Sequence, residues 1–278
     1  MPTFTFTQVD VFTSQALLGN PVAVVHGAAG LSTEQMQTFA RWTNLSETTF
    51  LLPPTQAGAD YRLRIFTPGG ELPFAGHPTL GSCHAWLEAG GQPADPQRIV
   101  QECEVGLVPI RRDAGRLAFG APPLRRSGPL SAPLLVDIAD GLGIAPDAIR
   151  GHQWVDNGPG WCAVMLASAE EVRALQPDFA RLAQLRLGVV GPQAPGAGTD
   201  FEVRAFVVPL GVPEDPVTGS LNAGLAQWLI GAGLAPSRYV AAQGSALGRA
   251  GRVHVECDGA DIWVGGDTVS CIRGSLTL

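Results

Sequence analysis

The chain repeats itself. Arg64-Ile65-Phe66 is followed by Gly76-His77-Pro78-Thr79-Leu80-Gly81-Ser82 and then Ala85-Trp86-Leu87. Arg204-Ala205-Phe206 is followed by Glu214-Asp215-Pro216-Val217-Thr218-Gly219-Ser220 and then Gln227-Trp228-Leu229. Both copies read as strand, loop, Pro-x-x-Gly-Ser, helix and Trp-Leu. From Pro to Trp is 86 − 78 = 8 residues in one copy and 228 − 216 = 12 in the other. The difference is about one helical turn, which keeps the Trp on the same face. Asn20-Pro21-Val22-Ala23-Val24 likewise echoes Gly160-Trp161-Cys162-Ala163-Val164. Several matches in one order predict two duplicated domains related by a pseudo-two-fold.

The length agrees, since 278 residues at roughly 150 per domain is nearly two domains. Residues 120–133 hold four prolines and two glycines near the midpoint, the composition of a linker. The expected domains are therefore 1–119 and 134–263, with a C-terminal strand, 264–278, returning to the first. In the first half, alternation predicts strands over Thr3 to Phe12, Val22 to Val25, Glu47 to Leu52 and Tyr61 to Phe66. Ser32-Thr33-Glu34-Gln35 is a capping box opening a helix to about Thr43, and a second helix spans Pro78 to Ala89. A meander follows over residues 98–103, 107–111 and 116–119.

The repeat has a chemical consequence. Pro at the first helical position costs nothing, because its missing N–H has no intrahelical partner there. On that reading His77 and Asp215 are equivalent N-cap residues. On the same reading the first-turn amides behind them, of Thr79 and Leu80 and of Val217, Thr218 and Gly219, lack intrahelical partners, the arrangement that suits an anion. Two such helix starts facing one another would cradle a small carboxylate, reached by His77 from one side and Asp215 from the other. Glu47 opens a strand in the first half only. A shift of 140 residues, as from Arg64 to Arg204, places Leu187 opposite it.

Composition narrows the chemistry. All 18 basic residues are Arg, so the chain has no Schiff-base lysine for pyridoxal phosphate or an aldolase, and no Walker-A lysine. The formal charge of −7 and the lack of a basic run argue against a nucleic-acid partner. No stretch approaches the length of a membrane span, and the first residues lack the basic and apolar regions of a secretory signal. Cys83, Cys103, Cys162, Cys257 and Cys271 are odd in number and form no C-x-x-C, which reads as reduced core thiols of a cytoplasmic protein. No metal site is expected.

Five blocks together resemble the signature of a known family. They are Val9 to Phe12, Gly19 to Val25, Asn44-Leu45-Ser46-Glu47-Thr48-Thr49-Phe50, Arg64 to Pro68 with Glu71 to Gly81, and Glu214 to Ser220. In order and spacing they are similar to the PhzF family, the phenazine-biosynthesis-like isomerases of the diaminopimelate epimerase fold. The resemblance implies an α+β fold of two similar domains. Each would be a curled, mostly antiparallel sheet around a central helix, with the site in the cleft between them. It implies a cofactor-independent isomerase that moves a proton between carbons of a small carboxylated substrate. In the characterised family member that substrate is dihydro-3-hydroxyanthranilate.

The family's proton-shuttling glutamate falls on Glu47, its site histidine on His77 and its site aspartate on Asp215. Candidate substrate-binding residues are Gly76, Gly219, Ser220, Asn20 and Ser46. The paired thiols of diaminopimelate epimerase and proline racemase correspond to Gly76 and Asp215, which disfavours a two-thiol mechanism. The resemblance also suggests a homodimer. Two other readings stay open: an epimerase or racemase using Glu47 with Asp215 or His77 in place of thiols, and a non-catalytic small-acid binding protein.

Overall fold

The computed structural model describes residues 2–113 and 115–278, with only the backbone of Leu210. The chain forms two compact units. The first comprises Met1–Gly120 and Gly265–Leu278, the second Ala121–Val264.

In the first unit β1 (Thr3–Val11) lies antiparallel between the C-terminal strand Thr268–Thr277 and β2 (Asn20–Val25). β2 runs parallel to β3 (Thr48–Leu52), and β3 is antiparallel to β4 (Tyr61–Thr67). β4 pairs antiparallel with the short β5 (Gly70–Leu72) and parallel with β6 (Arg98–Cys103). β7 (Gly106–Asp113) and β8 (Arg116–Gly120) complete the meander. Helix α1 (Thr33–Thr43) has the expected capping box, Ser32 with Gln35. It lays Met36, Phe39 and Ala40 on a core of Phe4, Val25, Phe50 and Phe66.

Helix α2 (Gly76–Glu88) is different in kind. Nine of its residues are buried, from Gly76 to Cys83 plus Ala85. A helix buried on all sides belongs in the middle of its domain, and α2 packs on β1, β2, β3, β4, β6 and β8. Gly81 makes this close approach feasible: a Cβ there would lie 2.4 Å from Val22 Cγ1 and 2.9 Å from Val11 Cγ2.

The second unit repeats the strand order. β9 (Gly151–Trp154) is antiparallel to β10 (Trp161–Met165), which is parallel to β11 (Arg186–Pro192). β11 is antiparallel to β12 (Phe201–Phe206). β12 pairs antiparallel with β13 (Glu214–Asp215) and parallel with β14 (Arg238–Gln243), followed by β15 (Gly251–Asp258). Helices α3 (Ala132–Leu142) and α4 (Ala169–Ala174) cover the sheet, and α5 (Gly219–Gly231) is its enclosed helix. Gly224 approaches Val155, where a Cβ would come 2.3 Å from the carbonyl oxygen.

The repeat extends to charge. Arg64 Nε and Nη2 donate to the two oxygens of Glu71 at 2.7 and 2.6 Å. Arg204 makes the same fork to Glu214 at 2.9 and 2.7 Å. Each pair pins a hairpin that leads to an enclosed helix. The proline-rich midpoint is bonded to the second unit: Arg125 and Arg126 donate their backbone N–H groups to Asp156 O, and Trp154 donates its own to Gly128 O.

The thiol expectation needs one correction. All five cysteines are free, but only Cys83, Cys103 and Cys162 are buried. Cys257 and Cys271 lie on strands with a solvent side and are partly exposed.

Candidate active site

Glu47 stands immediately before β3, where Thr49 faces the enclosed helix. Thr49 shares a 2.8 Å hydroxyl hydrogen bond with Ser82 of α2. Alternate residues of a strand share a face, so Glu47 points toward α2 at the end where that helix begins. His77 is its second residue. His77 Nε2 and Glu47 Oε2 are 3.3 Å apart, with the side chains only 6% and 15% exposed. Behind the imidazole, the fully buried Asn20 opens β2 and places Nδ2 3.4 Å from His77 Nδ1. With the amide donating, Nδ1 is the acceptor, and the neutral ring carries its proton on Nε2, toward Glu47.

Burial raises Glu47 from 4.5 to about 7, against the opposing effect of a hydrogen bond from the Ser46 side chain. Its Oε2 is buried with no hydrogen-bond partner among the described residues. A carboxyl group in that range can give and take a proton at neutral pH.

In the second unit Asp215 ends β13, paired with Ala205. Thr218 Oγ1 donates to Asp215 Oδ2 at 2.6 Å. Gln243, almost fully buried on β14, holds this turn: Nε2 donates to Asp215 O and Thr218 Oγ1, and Oε1 accepts from Thr218 N and Asn222 Nδ2. Ser220 is the second residue of α5. Its Oγ accepts from Trp161 Nε1 at 3.0 Å, and its carbonyl accepts from Asn157 Nδ2 at 2.8 Å.

Two expectations are overturned by the register. First, His77 and Asp215 are not equivalent N-caps. The N-caps are Ala75 and Thr218, neither with a side-chain capping bond. Pro78 is the third residue of α2, where a proline is still tolerated because first-turn N–H groups have no intrahelical acceptor. Pro216 lies outside α5, because Asp215 is held in β13 and the Thr218 hydroxyl closes a turn onto it. Aligned on their N-caps, His77 matches Ser220.

Second, the counterpart of Glu47 is Arg186 and not Leu187. Phe66 and Phe206 are equivalent, opposite Glu71 and Glu214. Thr48 pairs with Phe66, and Leu187 with Phe206, so Thr48 matches Leu187. The intervening segment is one residue longer in the second unit, 206 − 187 = 19 against 66 − 48 = 18. A one-residue slip exchanges the faces of a strand. Leu187 accordingly packs with Ile138, Leu142 and Phe206, in a core of its own unit.

The first unit thus brings Asn20, Ser46, Glu47, Gly76 and His77 together, and the second brings Asp215, Gly219 and Ser220 together. Sequence reasoning did not single out Gln243. Thr218, three residues after Asp215, had a legible signal in the usual spacing of a hydroxyl–carboxylate turn. Among the described residues no cluster of His, Cys, Asp or Glu has metal-binding geometry. No helix among them is long and apolar enough to cross a membrane.

Two sheet-wrapped helices, one with a buried Glu–His pair at its start, define a duplicated α+β fold equipped for acid–base chemistry. The profile of PhzC-PhzF, described as phenazine biosynthesis-like protein, matches residues 9–274. The trans-2,3-dihydro-3-hydroxyanthranilate isomerase of Pseudomonas aeruginosa is 37% identical, over 97% of this chain and 94% of its own. Antisense-enhancing sequence 1 of Schizosaccharomyces pombe is 36% identical, over 99% of both chains. The crystal structure of a PhzF-family phenazine biosynthesis protein from Enterococcus faecalis superposes with a TM-score of 0.84 at 25% identity, covering both chains fully. The chain belongs to the PhzC-PhzF family, and it is an isomerase.

Proposed function

We propose that this isomerase moves a proton between carbons of a small carboxylated substrate, a cyclic amino or hydroxy acid, without a cofactor. Glu47 is the group that takes the proton from one carbon and returns it to another. His77 presents Nε2–H to the same substrate region and balances charge as Glu47 changes state. Asp215, fixed by Thr218, receives a polar group of the substrate. The Ser220 hydroxyl and the backbone at Ser46, Gly76 and Gly219 bind its remaining oxygens. Asn20 acts through His77 rather than on the substrate.

The observation that carries this reading is the burial of Glu47 against His77, with its carboxyl held at about 7. A positioned acid–base group of this kind contributes roughly 10²–10⁴-fold. The alternative, an epimerase or racemase pairing Glu47 with Asp215 or His77, is separated from this reading by the configuration of the product. The family relative named for trans-2,3-dihydro-3-hydroxyanthranilate makes that compound the first to test. The protein is incubated in D₂O with it and with a panel of cyclic amino and hydroxy acids, and NMR reads which carbon gains deuterium. Incorporation at a carbon other than the one deprotonated, lost in Glu47→Gln, is the expected result. Inverted configuration at a single carbon would favour the racemase instead. Unchanged exchange in Glu47→Gln would remove Glu47 from the role.

A further inference from the structure

The position of Arg186 has a chemical meaning of its own. Its neighbour Gly188 faces α5: a Cβ there would lie 2.5 Å from Leu221 Cδ1. Arg186 is two residues earlier on the same strand and so leaves β11 on the α5 side. It is also the cross-strand partner of Trp161, whose indole reaches Ser220 at the start of α5. Arg186 therefore leaves β11 on the α5 side, at the register that Glu47 has on the α2 side of the first unit, and Trp161 connects its strand position to Ser220.

The guanidinium is under-partnered. Nη1 donates to Pro159 O. Nε is buried without a hydrogen-bond partner, and no Asp or Glu pairs with the group, among the described residues. Other half-buried arginines of the chain, Arg64 and Arg173, each hold a carboxylate. A partly desolvated cation without a counter-ion is costly unless an anion completes it. Nε itself is covered, while the residue as a whole is only partly buried. Gly160 keeps the approach clear: a side chain there would begin 3.2 Å from Nη1, on a backbone with φ +92°. The Ser220 hydroxyl already accepts from Trp161, which leaves its proton to be donated outward.

We infer that Arg186 is the carboxylate-recognising residue of the second unit, binding an organic acid together with the Ser220 hydroxyl. A planar guanidinium matches a carboxylate in geometry as well as charge. Assigning that carboxylate to the isomerised substrate rests on the proposed function; the binding itself does not.

The test is calorimetric titration of the full chain with two probes, anthranilate and anthranilamide. They share a ring and an amine and differ in the carboxylate. The unsubstituted protein is expected to prefer anthranilate by roughly 10- to 100-fold, the range of a charged hydrogen bond. Arg186→Gln removes the preference and Arg186→Lys keeps part of it. Arg238→Gln, which deletes an exposed charge paired with Glu256, leaves it intact. Circular dichroism shows whether each variant is folded. A folded Arg186→Gln that still prefers anthranilate overturns the inference, and so does an unsubstituted protein with no preference. Absence of deuterium exchange in the unsubstituted protein, with the preference for anthranilate present, would count against the proposed function alone.

Discussion

Glu47→Gln should make the protein more stable in alkali while ending its acid–base activity. Burial lifts the carboxyl from 4.5 to about 7, so the folded chain binds more protons than the unfolded chain between those values. A raised folded-state pKa contributes stability that is fully present below the unfolded value and is lost as pH rises through the folded one. The shift of 7 − 4.5 = 2.5 units at 1.36 kcal/mol each gives about 3 kcal/mol. Glutamine has similar shape and no titration. Urea unfolding of the two proteins from pH 4.5 to pH 9 isolates the term, because every other titrating group is common to both. The stability difference should move toward the variant by up to about 3 kcal/mol, mostly between pH 5 and pH 8. Curves parallel to within about 0.5 kcal/mol would refute the burial argument, and with it the reason for assigning Glu47 a proton-transfer role.

Four further outcomes follow from the geometry. Glu214→Ala strands Arg204 in a pair whose side chains are only 6% and 4% exposed, so a loss of about 3–5 kcal/mol is expected in denaturant titration. The matching Glu71→Ala, where the pair is 19% and 29% exposed, should cost about 1 kcal/mol or less; equal losses would contradict the burial contrast. Gly81→Ala forces a methyl group against Val22 and Val11 and should lower stability by about 1–3 kcal/mol in a thermal melt. Thr218→Val deletes the 2.6 Å bond to Asp215; turnover should fall roughly tenfold, as for a lost charged hydrogen bond, while Thr218→Ser restores it. Asn20→Asp should turn His77 Nδ1 into a donor and displace the pH profile of turnover, whereas a purely structural role for Asn20 would lower activity equally at all pH values.

The strands and helices of the first half were legible because their apolar residues keep the period of their elements. The capping box at Ser32 was legible because both partners lie within four residues. The duplication could be read because Arg64-Ile65-Phe66 and Arg204-Ala205-Phe206 each open an identical local program. What failed was register. The match of His77 with Asp215 followed from aligning prolines, yet a proline fits several positions at the start of a helix. The match of Glu47 with Leu187 followed from a constant shift that one inserted residue invalidates.

Sequence alone therefore determined the element types of the first half and the duplication, because each is written in short-range pattern, and the family motifs made Glu47, His77 and Asp215 the candidates. Only the tertiary structure decided that Asn20 backs His77, that Gln243 braces the Asp215 turn, and that a cation matches Glu47. Those contacts join residues tens of positions apart, and strand pairing sets them rather than spacing along the chain.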